Sequence, residues 1–509
     1  MRVAKSCAAC RKEKRRCERR LPGQACVACR QNSRPCSLTD TIWRPQVHGG
    51  PDSELAPDRN TVEHLLNLYV QHIHDRPHTL FHLPSLRDAV CHGGACKAVL
   101  YAIMALGARL STYDELRTRS CHYAARSREL LKQKMETVSI ENVQAGILIA
   151  EYAGQEGSRS TEALYFSLAI RTAQLLRLHS ETTQGSCIVK EVGRRVYWSC
   201  YMADVWNNAG VGLPRQLHDA ETPRMPMSEL TFQALPHDLP AGGEDSEQTE
   251  TIDGLWAWAI RLVRLFARIQ DFHASLLSST TSADQVTWTV NSIADAFALY
   301  QADLPPELVY NSDNLTAHVS KGIGSAFVAL HLGFHHYSAL LYFPFLDGHY
   351  STTVLDATYA ARCRSHASAL SDMIKVSMES DCEVHYSSVG HMTCISSAVL
   401  LHTLLLGGET DLNVTRAQLH SNFRKLLELH KFWPCTEQTI ERLIGFQNAC
   451  MQSLDMHTHR VDRWMVRFLL NHALPLERKN GSKSGERLLC REPDNVQHPD
   501  RVGAALDPR

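Results

Sequence analysis

The sequence lacks any uninterrupted apolar run of about 20 residues, the length a helix needs to cross a bilayer. Its longest apolar stretches, around 98–110, 327–346 and 396–407, are each broken by Arg, His or Gly. Residues 1–20 are basic and contain no apolar segment of the kind an export signal carries. With an odd cysteine total of 17 and no such signal, the thiols outside any cluster are expected to be free, in a reducing compartment. Phosphate-cradling loops are missing too. The nearest candidates, Gly154-x2-Gly157 and Gly322-x-Gly324, match neither a Walker loop nor a dinucleotide fingerprint and read as turns or close helix packing. His331-x3-His335, followed by His336, has Leu332 where a zinc protease motif carries glutamate, so these histidines read as structural. A membrane protein, a secreted disulfide protein and an enzyme are thereby excluded, and no catalytic residue is assigned.

What is present is unevenly distributed. The 53 Lys/Arg and 54 Asp/Glu nearly cancel to a formal charge of -1. Residues 1–36, however, hold eleven basic and two acidic side chains, a local +9, which leaves -10 for the remaining 473 residues. A partner meets that segment rather than the average, and a polyanion is the natural one.

Six cysteines fall in the same segment: Cys7-x2-Cys10-x6-Cys17, an eight-residue loop, then Cys26-x2-Cys29-x6-Cys36. Zinc takes four tetrahedral ligands and favours thiolate. Six sulfurs serve two Zn2+ ions only if two of them bridge, and the pseudo-symmetry of the halves makes Cys7 and Cys26 the bridging pair. The module's large aliphatics are only Val3, Leu21, Val27 and Leu38, so metal must supply much of its folding energy. Eight-ligand protein-binding zinc modules use other spacings and often histidine, and residues 1–47 contain none. Arg11, Lys12, Lys14, Arg15, Arg16, Arg19, Arg20 and Arg34 suit phosphate neutralisation, with base edges read from the helix start.

This spacing, with Arg11, Lys14 and Arg16 between the second and third cysteines, resembles the fungal binuclear zinc cluster (Zn2Cys6) transcription factors. In that family the first and fourth cysteines bridge, which again selects Cys7 and Cys26. The resemblance implies that the helix after the second cysteine enters the major groove at a CGG-like triplet, with Lys14 at the principal base-reading position. Glu13 stands where the family usually has a basic residue. The resemblance further implies a nuclear protein whose partners are double-stranded DNA and the transcription machinery, regulating RNA polymerase II genes. A helical scaffold whose zinc module contacts a protein instead is the other reading the sequence allows.

From about 62 to 475 apolar residues recur at three- and four-residue spacing, the mark of helices. Several stretches resemble the fungus-specific middle domain, most clearly Arg194-Arg195-x2-Trp198, then Asp204 and Gly212-Leu213-Pro214, where Leu213 replaces the family's usual arginine. Arg194, Arg195, Trp198 and Asp204 are expected to be structural, with Asp204 placed to accept arginine donors. The expected architecture is a small metal-stabilised Zn2Cys6 module joined by a flexible linker to a large all-α regulatory domain. Its segments are 1–44 (DNA-binding), 45–61 (linker), 62–240 (middle domain), 241–250 (acidic linker), 251–475 (helical continuation) and 476–509 (polar tail). No sustained heptad follows the cluster; Val62, Leu66, Tyr69 and Ile73 read as the next domain's first helix. Homodimerisation through the helical body and monomeric binding both remain open, and a small-molecule effector is left unassigned.

Overall fold

In the computed structural model the described residues are 10, 26, 57–76, 78–180, 185–217, 222–236, 254–277, 282–346, 354–380, 382–406, 412–455, 461–474 and 476. The chain separates into two units, residues 1–58 and 59–509. The 241–250 linker and nearly all of the 476–509 tail lie outside the described residues.

The second unit is helical throughout, with no strand among its described residues. In chain order the α-helices are α1 Arg59–His72, α2 Leu83–Cys91, α3 Lys97–Arg109, α4 Asp114–Gln133, α5 Ile140–Gln155 and α6 Arg159–Leu175. They continue as α7 Cys187–Val211, α8 Glu229–Gln233, α9 Leu255–Leu276, α10 Ala283–Asp303, α11 Ser312–Ser320 and α12 Gly324–Tyr342. The last five are α13 Val354–Glu379, α14 Ser388–Leu406, α15 Leu412–His430, α16 Cys435–Asp455 and α17 Arg463–Leu470. The first helix starts at Arg59, inside the stretch expected as linker. Its Leu65, Leu66 and Tyr69 are buried, so the apolar row seen in the sequence is a core face.

Local chemistry sets several boundaries. Ser139 caps α5 by accepting from the Asn142 N–H. Ser282 and Gln285 form a reciprocal capping box at α10, and Asp462 caps α17 through the Met465 N–H at 3.1 Å. Each cap satisfies backbone donors that a helix start leaves orphaned.

Sequential helices pair: α3 with α4, α5 with α6, α12 with α13, α14 with α15 and α16. Ser120 and Ser127 on α4 donate to the Ala105 and Ala98 carbonyls of α3 at 2.8 and 2.6 Å, which lets small polar residues occupy a buried seam. Where α1 crosses α3, a Cβ built on Gly107 would lie 2.2 Å from the Leu65 carbonyl oxygen. Only glycine allows that approach. Gly107→Ala is expected to destabilise the protein by about 1–3 kcal/mol, read as a lower denaturation midpoint at unchanged m-value.

By length and composition Ser388–Leu406 can cross a bilayer, contrary to the reading of that region as broken. Its apolar window is 72% buried inside the protein, as expected of a core helix. The hydroxyls it carries are satisfied there. Ser396 bonds Ser371 at 2.9 Å and the Ala367 carbonyl at 2.8 Å, and the Asn422 amide reaches Ser396 and Ser397 at 3.2 and 3.1 Å.

Candidate functional site

Of the six clustered cysteines, Cys10 and Cys26 are among the described residues. Both are buried, and their sulfurs lie 3.6 Å apart. That is far beyond a disulfide bond of about 2.05 Å. It is close to ~3.8 Å, the edge of a tetrahedron of thiolates at the usual Zn–S length of about 2.3 Å. The donor pair therefore fits one shared zinc ion. Cys10 belongs to the first half of the repeat and Cys26 to the second, so the halves meet as a common metal requires. Cys7, Cys17, Cys29 and Cys36 lie outside the described residues, as do all eight basic residues assigned to DNA: Arg11, Lys12, Lys14, Arg15, Arg16, Arg19, Arg20 and Arg34. Among the described cysteines of the helical body, Cys91, Cys96, Cys121, Cys200, Cys363, Cys394 and Cys435 are free thiols.

In the second unit, Arg195 and Trp198 are fully buried on α7. The Arg195 guanidinium meets the Glu191 carboxylate at 2.8 Å, donates to Thr79 Oγ1 at 2.8 Å and to the Met227 carbonyl at 2.6 Å, and covers the Phe232 ring. Glu191, one turn before Arg195, also takes Arg194. Burial pushes the Glu191 carboxyl up while both arginines pull it down. Trp198 donates from Nε1 to the Arg224 carbonyl at 3.0 Å. Asp204 accepts from the Gln216 and Leu217 N–H groups at 2.8 and 2.7 Å, fixing the turn after α7, and from Asn208. The residue missed in the sequence is Glu191, though its four-residue spacing from Arg195 is the ordinary signal of a helical ion pair.

His331 donates from Nε2–H to the Leu308 carbonyl (2.9 Å), and His335 faces His366 at 3.0 Å on α13. His336 lines an internal cavity. Burial lowers His331 and His335 to about 4 and His336 to about 3. Glu383, His385 and Glu428 place ligand-type atoms within 4.8 Å of one another, but the buried Lys425 ammonium already pairs with Glu428 at 3.1 Å.

Residues 66–285 match the model of the fungal specific transcription factor domain. Over 432 residues the chain is 23% identical to the Zn(2)-C6 fungal-type transcription factor FTF1c of Fusarium oxysporum f. sp. lycopersici, covering 77% of this chain and 46% of that protein. Across these regions the chain is similar to fungal Zn(2)-C6 transcription factors. The same organism's FTF2 is 22% identical over 440 residues, covering 78% of this chain and 40% of the relative. A transcriptional regulatory protein of Schizosaccharomyces pombe is 23% identical over 321 residues, 56% of this chain and 32% of its own length. The chain spans less than half the length of these curated relatives. The matched domain and these relatives are named for transcription regulation rather than for an enzyme activity. Zinc stands in the names of the Fusarium relatives.

Proposed function

We propose that this protein is a zinc-dependent, sequence-specific DNA-binding regulator of RNA polymerase II genes that acts in the nucleus, in the manner of the fungal Zn(2)-C6 transcription factors it resembles. The observation that carries the reading is the doubled C-x2-C-x6-C spacing with its basic run, supported by the Cys10–Cys26 sulfur separation of 3.6 Å. Cys7, Cys10, Cys17, Cys26, Cys29 and Cys36 hold two zinc ions, with Cys7 and Cys26 shared. Metal bound there supplies the folding energy that four large aliphatics cannot. Two Zn2+ and six thiolates sum to -2, so residues 1–36 retain about +7 toward the phosphates.

Lys14 reads base edges of a CGG-like triplet, while Arg11, Lys12, Arg15, Arg16, Arg19, Arg20 and Arg34 position the module on the backbone. Residues 1–44 form this module and 45–58 tether it. The helical body transmits to the transcription machinery and carries any self-association. Within it Arg194, Arg195, Trp198 and Asp204 hold helices and turns together rather than touching a ligand.

The test is selection from a randomised duplex library with zinc-loaded full-length protein. CGG-like triplets are expected to be enriched, paired at fixed spacing if the body dimerises and single if it does not. Lys14→Ala is expected to cost about 1–3 kcal/mol at the triplet and to relax its sequence preference. No enriched motif from folded, metal-replete protein would overturn the DNA-reading function and favour a protein-binding zinc module.

A further inference from the structure

Inside the second unit lies a cavity of about 250 Å3. At ~30 Å3 per molecule that is the space of roughly eight waters. Its walls come from segments far apart in the chain, and much of the lining lies beyond residues 66–285.

One side is apolar. Phe166, Trp206, Leu262, Phe266 and Leu330 form it, and Phe266 stacks on the Tyr337 ring at 4.3 Å between centroids. Ala326 and Ala329 of α12 face the space with only their methyl groups and are half-buried, on a helix whose other residues, His335 apart, are buried. These small side chains leave the room that the flanking rings enclose.

The other side is polar and incompletely paired. Gln155 Oε1, Asn207 Oδ1, Arg159 Nε, His78 Nδ1 and His336 Nδ1 are buried atoms with no hydrogen-bond partner. The Gln155 and His336 residues are each only 2% exposed. Buried polar atoms are almost always satisfied, so such a group around one empty volume calls for an occupant with hydrogen-bonding capacity.

The cavity lining carries more cations than anions: Asp75, held ionised with its carboxyl at about 2, stands beside Arg76, and Arg442 is left over. Arg159 has a carboxylate, Glu162, at 3.0 Å. Arg442 has two carbonyl oxygens, of Leu474 and Phe468, both at 2.6 Å, and the Phe468 ring, with no carboxylate among its described ion pairs. The Cys394 thiol beside Arg442 is pushed up to about 12 by burial and stays neutral. Arg159 and Arg442 are near enough to depress one another's neighbours His391 and His472, whose rings stack at 4.3 Å. Burial and the Glu162 charge lift Glu151 to about 8, so it is mostly protonated at neutral pH. An uncompensated guanidinium out of water is costly unless an anion joins it.

We propose that this cavity binds a small organic carboxylate with an apolar ring or chain. The carboxylate sits toward Arg442 and Arg159, the apolar body lies against Phe166, Trp206 and Phe266, and Gln155 and Asn207 accept from any hydroxyl or amide the ligand carries. The site is independent of the DNA-reading function, and its occupancy is measured without DNA.

The test uses full-length zinc-loaded protein, with calorimetry and thermal melting against phenylacetate, 3-phenylpropionate and hexanoate, and phenylacetamide as the uncharged control. At least one carboxylate is expected to bind saturably, raise the Tm and exceed phenylacetamide in affinity tenfold or more. Ala329→Phe, which fills the apolar side without touching the charged end, is expected to keep the fold and abolish binding; Ala326→Leu is the second filling variant. Arg442→Gln is expected to lower carboxylate affinity at least tenfold and leave the amide unchanged. The proposal is overturned if none of the three carboxylates binds, if phenylacetamide binds equally well, or if a folded cavity-filling variant retains wild-type affinity. If none binds, the space holds water alone; if the amide binds equally, the cavity does not select for a carboxylate.

Discussion

Cys26→Ser is expected to lower affinity for the selected DNA site by at least ~1000-fold, the lower end of the gap that separates specific from non-specific binding. Cys26 is buried and lies 3.6 Å from Cys10 across the two halves of the repeat, so it is placed to serve a metal that joins them. Bound zinc contributes about 10–16 kcal/mol in comparably small zinc-folded modules, and little else is available to fold residues 1–36. Serine offers no thiolate. The measurement is zinc content by metal analysis beside DNA affinity by titration, with Cys91→Ser as control, since Cys91 is an exposed free thiol at the end of α2. Chelation of the wild-type protein should reproduce the loss and added zinc should reverse it, while the helical signal from residues 59–509 persists. Full zinc content and DNA affinity in Cys26→Ser would remove Cys26 from the cluster.

Acidification from pH 7 toward pH 4 is expected to unfold the helical body cooperatively. His78, His273 and His331 are lowered to about 4 and His336 to about 3, chiefly by burial. Unfolded, each takes a proton near its ordinary value of 6.5. Between those limits the unfolded state binds more protons, so stability is present above the unfolded value and falls as the pH drops. One unit of displacement realised at each of the four amounts to about 5 kcal/mol, comparable with a domain's entire stability. Glu151 works against this. Its carboxyl, raised to about 8, favours the folded state at low pH and loses that contribution as pH rises through 4.5 to 8. Glu162, Glu191 and Glu229 are raised as well, while His335 and His366, lowered to about 4, and His472, lowered to about 3, add to the histidine side. Tm measured by calorimetry at intervals from pH 7.5 to 4.5 should fall steadily below pH 6.5, with net proton uptake on unfolding. A flat profile would mean that these imidazoles are hydrated in solution.

Two levels of the molecule were readable before any coordinates. Metal-ligand spacing is local: a pair of cysteines two residues apart, repeated after a fixed interval, is a chemical statement whatever surrounds it. Helix periodicity is equally local, and Leu65, Leu66 and Tyr69 lie on the buried face of α1 as the row around them implies. Arg194, Arg195 and Trp198 stood out as a set for the same reason, although the carboxylate that meets both arginines, Glu191, was passed over in favour of Asp204, whose backbone contacts fix a turn instead. The 396–407 stretch misled because His402 and Gly407 read as breaks, whereas the helix that contains it runs from Ser388 to Leu406. Packing against α13 and α15 satisfies its serine hydroxyls and leaves a continuous core helix.

The cavity belongs to the other level. Gln155, Arg159, His336, His391, Arg442 and His472 have no shared spacing, and only the packing of α5, α6, α12, α14, α16 and the residues after α17 brings them to one volume. Their protonation is decided there too, because a histidine or a glutamate shifts by the water that its neighbours exclude, and sequence spacing carries no record of that. The sequence by itself therefore determined which residues are proposed to hold metal and DNA, since that spacing is written in short range. Which charge lacks a partner, and where a small molecule finds room, was decided by tertiary packing, because burial is a property of the whole assembly of helices.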